Sequence, residues 1–117
     1  MNIGIVGSRG YTDYQEFCVY MNDYLCTYDI DNVISGGAKG TDTLAKKWAI
    51  ENTINLIEHL PDWSIGKRGA VLRNLKIVED SDMIIAFWDY KSKGTKMTID
   101  MAKRKNKKVV INKINYL

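Results

Sequence analysis

Met83, Ile84, Ile85, Ala86 and Phe87 form an unbroken apolar run of strand length. A strand without polar alternation must be covered on both faces, which requires a parallel sheet with helices above and below it. Extended to Trp88, this is still the longest apolar run in the chain. It falls far short of the roughly 20 residues that cross a bilayer, so no membrane partner is expected.

The rest of the chain alternates around that strand. Ile3 to Val6 is a second apolar run, ending at Gly7, Ser8, Arg9 and Gly10. Helical spacing follows from Tyr14 to Tyr28, with Phe17, Met21, Tyr24, Leu25 and Tyr28 on one stripe and Cys18 at its margin. Val33 to Ser35 reads as a strand, and the next helix starts with Thr41 or Asp42 as its cap and turns Leu44, Ala45, Trp48 and Ala49 inward. Thr53 to Ile57 makes a third strand. A helix from about Lys67 to Asp80 presents Val71, Leu72, Leu75 and Val78, another spans about Thr95 to Lys105, and Lys108 to Ile111 closes the series.

Strict alternation with short links and right-handed crossovers predicts an α/β, three-layer, Rossmann-like domain with a mostly parallel sheet of about five strands flanked by helices. At 117 residues the chain fits one domain, 1–117, without a repeat or a linker. Cys18 and Cys26 are too few for a disulfide scaffold, and the start lacks a basic leader followed by a long apolar run. The expectation is a soluble, cytoplasmic protein with reduced thiols. Seventeen Lys and Arg against fourteen Asp and Glu give +3, a surplus that neither demands nor excludes nucleic acid.

In an open parallel sheet, ligands bind beyond the carboxyl ends of the strands, where helix amino termini offer unpaired amides. The segment Ser35, Gly36, Gly37, Ala38, Lys39, Gly40, Thr41, Asp42 joins a strand to a helix there and reads as a phosphate or carboxylate loop, with a plain tight turn as the alternative. It is not a P-loop, because no Gly-Lys-Ser/Thr ending follows, and the usual dinucleotide fingerprint belongs after the first strand. Ser8 offers a hydroxyl and Arg9 a planar fork for a phosphate or a base. Arg73 and Asn74 interrupt the third helix as ligand groups or as a brace. Gly94 and Thr95, beside Lys93 and Lys96, open a second helix terminus toward an anion.

Asp42 reads first as a helix cap or loop brace, and Asp89 and Asp100 are the other carboxylates near these ends. Trp63 and Trp88 are candidates for stacking on a base or for core anchoring. His59 is the only histidine, so no histidine-rich metal site is expected, and nothing implies a resident cofactor. Five basic residues among positions 103–108 sit at a helix end, either as a solvated cap or as a polyanion patch.

Gly7, Ser8 and Arg9, the Ser35 to Asp42 loop with Ala45, Trp48 and Ala49, and Pro61, Asp62, Trp63 and Gly69 together resemble a known family. The likeness continues through Arg73, Asn74, the strand Asp82 to Phe87, and Gly94 with Thr95. It is to the YspA-related DUF2493 family within the nucleotide-binding Rossmann-like superfamily named SLOG, after the DNA-processing protein Smf/DprA and the Lonely Guy phosphoribohydrolases.

The resemblance implies a pocket for a nucleotide or nucleotide-derived phosphorylated ligand, in a sensor or sequestering protein, and a homo-oligomer. The residues it points to for binding are Ser8, Arg9, Gly36, Gly37, Gly40, Thr41, Asp42, Arg73, Asn74, Gly94 and Thr95, with no catalytic group assigned. The alternative is a nucleoside 5′-monophosphate phosphoribohydrolase that cleaves the N-glycosidic bond. Lonely Guy enzymes place a catalytic glutamate where this chain has Thr98, which weakens that alternative. Single-stranded DNA binding is a further reading, set back because no additional DNA-contacting domain is present.

Overall fold

The computed structural model describes residues 1–115. Its elements run β1 (Asn2–Gly7), α1 (Tyr14–Thr27), β2 (Asn32–Ser35), α2 (Thr41–Glu51), β3 (Asn55–Glu58), a 3-10 turn (Trp63–Ile65), α3 (Lys67–Asp80), β4 (Met83–Trp88), α4 (Lys93–Arg104) and β5 (Lys108–Lys113). All five strands are parallel, in the order β3-β2-β1-β4-β5. The chain is thus a three-layer α/β Rossmann-like fold, as the alternation predicts.

Alternate side chains of the strands feed two cores. Ile3, Ile5, Val33, Met83, Ile85 and Phe87 pack with Phe17 and Met21 of α1 and Leu44 and Trp48 of α2. Val6, Ile34, Ile84 and Ala86 meet Ile77 and Val78 of α3 and Ile99 and Ala102 of α4 on the opposite face. Every residue from Met83 to Phe87 is fully buried, which is why that run carries no polar alternation.

Register is fixed at the amino edge by a side-chain ladder. Asn2, Asn32 and Asn55 are aligned partners across β1, β2 and β3. Asn32 donates to Asn2 Oδ1 at 2.8 Å, and Asn55 donates to Asn32 Oδ1 at 2.7 Å. A slip by one residue would break both bonds and turn Val33 and Ile34 to the wrong cores.

Three sequence expectations change. Leu25 is exposed although Phe17 and Met21 of the same helix are buried, because it lies about 80° around the helix from Phe17 at 100° per residue. Thr53 stands outside β3, in a turn at φ +56°, where its amide donates to the Ile50 carbonyl. In α3 the buried residues are Gly69, Ile77 and Val78, whereas Val71 and Leu72 face solvent. Arg73 and Asn74, one turn before Ile77 and Val78, occupy the sheet-facing side instead.

Candidate functional site

β1 and β4 are neighbours, yet the chain leaves β1 toward α1 on one face and β4 toward α4 on the other. A crevice therefore opens at their carboxyl ends, where such sheets bind ligands. A cavity of about 360 Å³ lies there. Its walls come from the β1 loop (Val6, Gly7, Arg9, Gly10), the β2 loop (Gly36, Ala38, Asp42), α3 (Arg73, Asn74, Ile77) and the start of α4 (Ser92, Lys93, Gly94, Thr95, Thr98).

Close packing of the loops holds the walls in place. Gly40 sits at φ +72°, and a Cβ there would stand 2.2 Å from the Arg9 carbonyl oxygen, so only glycine lets the β2 loop press against the β1 loop. Ser8, fully buried, fastens three loops together. Its carbonyl oxygen accepts the Thr41 amide at 3.2 Å and the Thr41 hydroxyl at 3.0 Å. Its Oγ accepts the Asp89 amide at 3.3 Å and meets Ser92 Oγ at 2.9 Å. Asp89 in turn closes the β4 loop, its Oδ1 accepting the amides of Lys91 and Ser92 at 2.8 Å each.

Arg73 crosses from α3 to the glycine loop. Nη1 donates to the Gly36 carbonyl at 2.7 Å and Nε to Asn74 Oδ1 at 2.9 Å. Both acceptors are neutral, so the guanidinium is held in position while its charge is left without a direct ion pair among the described residues. Burial lowers its pKa, Asp42 opposes that shift, and Arg9 adds to it. The group stays protonated, as arginine does in proteins. Arg9 and Lys93 line the same cavity, making it a cationic recess.

Asp42 is the one carboxylate among the described residues that lines the cavity. Its Oδ2 accepts the Ala38 amide at 3.0 Å. Burial raises its pKa above the ordinary Asp value, with Glu58 adding to the rise, while the Ala38 amide, Arg73 and Ser35 act against it. The Ser35 hydroxyl is near enough to favour the anion, yet it is buried without a well-formed hydrogen bond.

Among the described residues, no side chain caps α2 or α4. The N-cap of α2 is Gly40, because Thr41 is spent on Ser8 and Asp42 on Ala38, which corrects the expectation that one of them caps the helix. At α4, Ser92 precedes Lys93 and Lys96 with no acidic residue in the first turn. A cation at that end works against the helix dipole, and an anion in the cavity would relieve it. Lys96 itself is turned to Asp100 at 2.9 Å.

Of the residues singled out in the sequence, Arg9, Gly36, Asp42, Arg73, Asn74, Gly94 and Thr95 line the cavity together. Ser8, Gly37, Gly40 and Thr41 do not. Ser8, Gly40 and Thr41 join the loops, and Gly37 turns the β2 loop at φ +68°. Among the described residues no aromatic side chain lines the recess. Trp88 donates its Nε1 proton to the Ser92 carbonyl at 3.0 Å and stacks on Tyr90, Trp63 is 59% exposed, and Tyr11 is buried against Phe87. Ser92, Ala38, Gly10 and Thr98 are additional wall residues, and for Ser92 its place directly before a helix start was an available signal. Among the described residues no group of three or more metal-ligating side chains gathers, and no helix is long and apolar enough to cross a membrane.

A parallel five-stranded sheet with helices on both faces and a cationic recess at its switch point defines a protein of the three-layer α/β Rossmann-like class. The family model for the YspA, cpYpsA-related SLOG family matches residues 1–66, and the chain belongs to that family. The matched part carries the β1 loop and the glycine loop and ends before Arg73. Neither the curated proteins nor the solved structures hold a match to the chain.

Proposed function

We propose that the chain, as one domain, binds a nucleotide or nucleotide-derived phosphorylated small molecule in this recess and serves as a sensor or sequestering protein. Membership of a SLOG family supports nucleotide-related binding. The observation that carries the reading is the Arg73 guanidinium, fixed by Gly36 and Asn74 and facing a cavity it shares with Arg9, Lys93 and the first turn of α4. Cations converging without a direct carboxylate partner among the described residues favour a phosphate, which the Arg fork matches in shape.

The same walls favour binding over N-glycosidic hydrolysis. Thr98, at the position of the Lonely Guy glutamate, lines the cavity and gives its hydroxyl proton to the Gly94 carbonyl at 3.2 Å. Self-association and a cytoplasmic setting belong to the same proposal. Leu60, Trp63, Ile65 and Leu72 are exposed on the segment before α3 and on α3 itself, where a second copy would cover them.

Calorimetric titration with ribonucleoside 5′-monophosphates and diphosphates tests the reading. Arg73→Glu is expected to lose binding while its circular dichroism matches that of the parent. Unchanged affinity in a folded Arg73→Glu protein, or no binding by the parent across the panel, would overturn it.

A further inference from the structure

Asp42 is out of place in a recess built for an anion alone. A carboxylate near a phosphate repels it, most strongly where water is partly excluded. Its Oδ2 accepts the Ala38 amide, a duty that an asparagine carbonyl would perform as well, and the Ser35 hydroxyl nearby favours the anion without a well-formed hydrogen bond. Arg73 does not take up the other oxygen, since Nη1 and Nε are directed to Gly36 and Asn74 and no direct Arg73–Asp42 ion pair forms. What Asp42 adds over asparagine is a second oxygen that can only accept hydrogen bonds, on a residue that lines the cavity.

On a phosphorylated nucleotide, the donors nearest the phosphate are the sugar hydroxyls. Arg73 and Asp42 bound the same recess of about 360 Å³ and influence each other's charge. A phosphate held by the guanidinium therefore brings the adjoining sugar, rather than the far edge of the base, to the carboxylate. We propose that Asp42 reads the sugar: its second oxygen accepts a hydrogen bond from a ribose hydroxyl, and the site discriminates against nucleotides that lack that hydroxyl. This rests on the nucleotide reading above and specifies the sugar that reading leaves open.

The test is titration of the unmodified protein with the four common ribonucleoside 5′-monophosphates, followed by the 2′-deoxy and 3′-deoxy forms of whichever binds best. A hydrogen bond from a hydroxyl to an ionised acceptor predicts that removing at least one of the two hydroxyls weakens binding about tenfold or more. In Asp42→Asn the amide oxygen is engaged by Ala38 and the amide nitrogen faces the ligand. The ribose preference should then shrink to within about threefold, while inorganic phosphate binds more tightly because the repulsion is gone. A carboxylate with a purely structural role would weaken all of these ligands together. Deoxy forms that bind the unmodified protein within about threefold of the ribonucleotide overturn the sugar inference and leave the nucleotide reading standing. If no nucleotide binds, both fall. The comparison on the unmodified protein decides the matter even if Asp42→Asn does not fold.

Discussion

Arg73 Nη1 donates to the Gly36 carbonyl at 2.7 Å, and the same nitrogen stands 2.5 Å from where a Cβ on Gly36 would lie. Helix α3 and the glycine loop are thus joined through a residue that has no side chain to offer. Gly36→Ala is expected to push the guanidinium aside without strain in the loop backbone, since Gly36 is not among the positive-φ glycines. Losing that charge-assisted bond should cost about 1–3 kcal/mol in stability. Nucleotide affinity should fall by tenfold or more, because the guanidinium no longer holds its place in the recess. Thermal melts together with titration check both, and wild-type affinity in Gly36→Ala would show that the position of Arg73 does not govern binding.

Gly94 offers the opposite case. It lines the cavity at the first turn of α4, and a Cβ there meets nothing within 4 Å. Alanine should leave stability unchanged or raise it by up to about 1 kcal/mol, since glycine is the weaker helix former. A larger side chain such as leucine should fill part of the recess. The expected outcome is a Gly94→Leu protein that melts like the parent and binds nucleotide at least tenfold more weakly. Full affinity would move the ligand away from α4.

The sheet is legible in the sequence because its cue is local. Met83 to Phe87 and Ile3 to Val6 announce buried strands residue by residue, and the glycines that follow β1 and β2 mark their carboxyl ends. The rotation of α3 is harder to read. Arg73 and Asn74 take positions that apolar residues hold in an ordinary amphipathic helix, so the apolar count pointed to Val71 and Leu72, which are exposed. The fastening role of Ser8 leaves no local trace either, since its partner Thr41 is 33 residues away. Arg73 and Gly94 could be singled out because each interrupts or opens a helix next to a strand end, whereas Thr98 gives no such cue.

Gly40 should be the least tolerant glycine of the β2 loop. With φ at +72° and a Cβ clash at 2.2 Å against backbone rather than a mobile side chain, Gly40→Ala must either distort the start of α2 or separate the β1 and β2 loops. A loss of about 2–4 kcal/mol is expected, read as a lower denaturant midpoint. Gly66 shares the positive φ but has open space around its Cβ position, so Gly66→Ala should lose less, mostly backbone strain of about 1–3 kcal/mol. Equal losses at the two sites would mean that contact between the loops adds nothing to the fold.

Asp42 links stability to pH in a direction opposite to most carboxylates. Burial raises its pKa, so the folded protein holds the proton more tightly than the unfolded chain does. Between the ordinary Asp value of 3.8 and the raised folded value, the folded state binds more protons, and stability falls as pH rises through that window. At neutral pH the ionised side chain is therefore a destabilising element of the empty protein. Asp42→Asn, neutral at every pH and still able to accept the Ala38 amide, should melt higher than the parent at pH 7. The gap should narrow as the pH is lowered toward 4 and the parent's carboxyl becomes protonated. A parent protein that melts higher than Asp42→Asn at pH 7 would mean that attraction to Arg73 outweighs the cost of burial, reversing the expected balance.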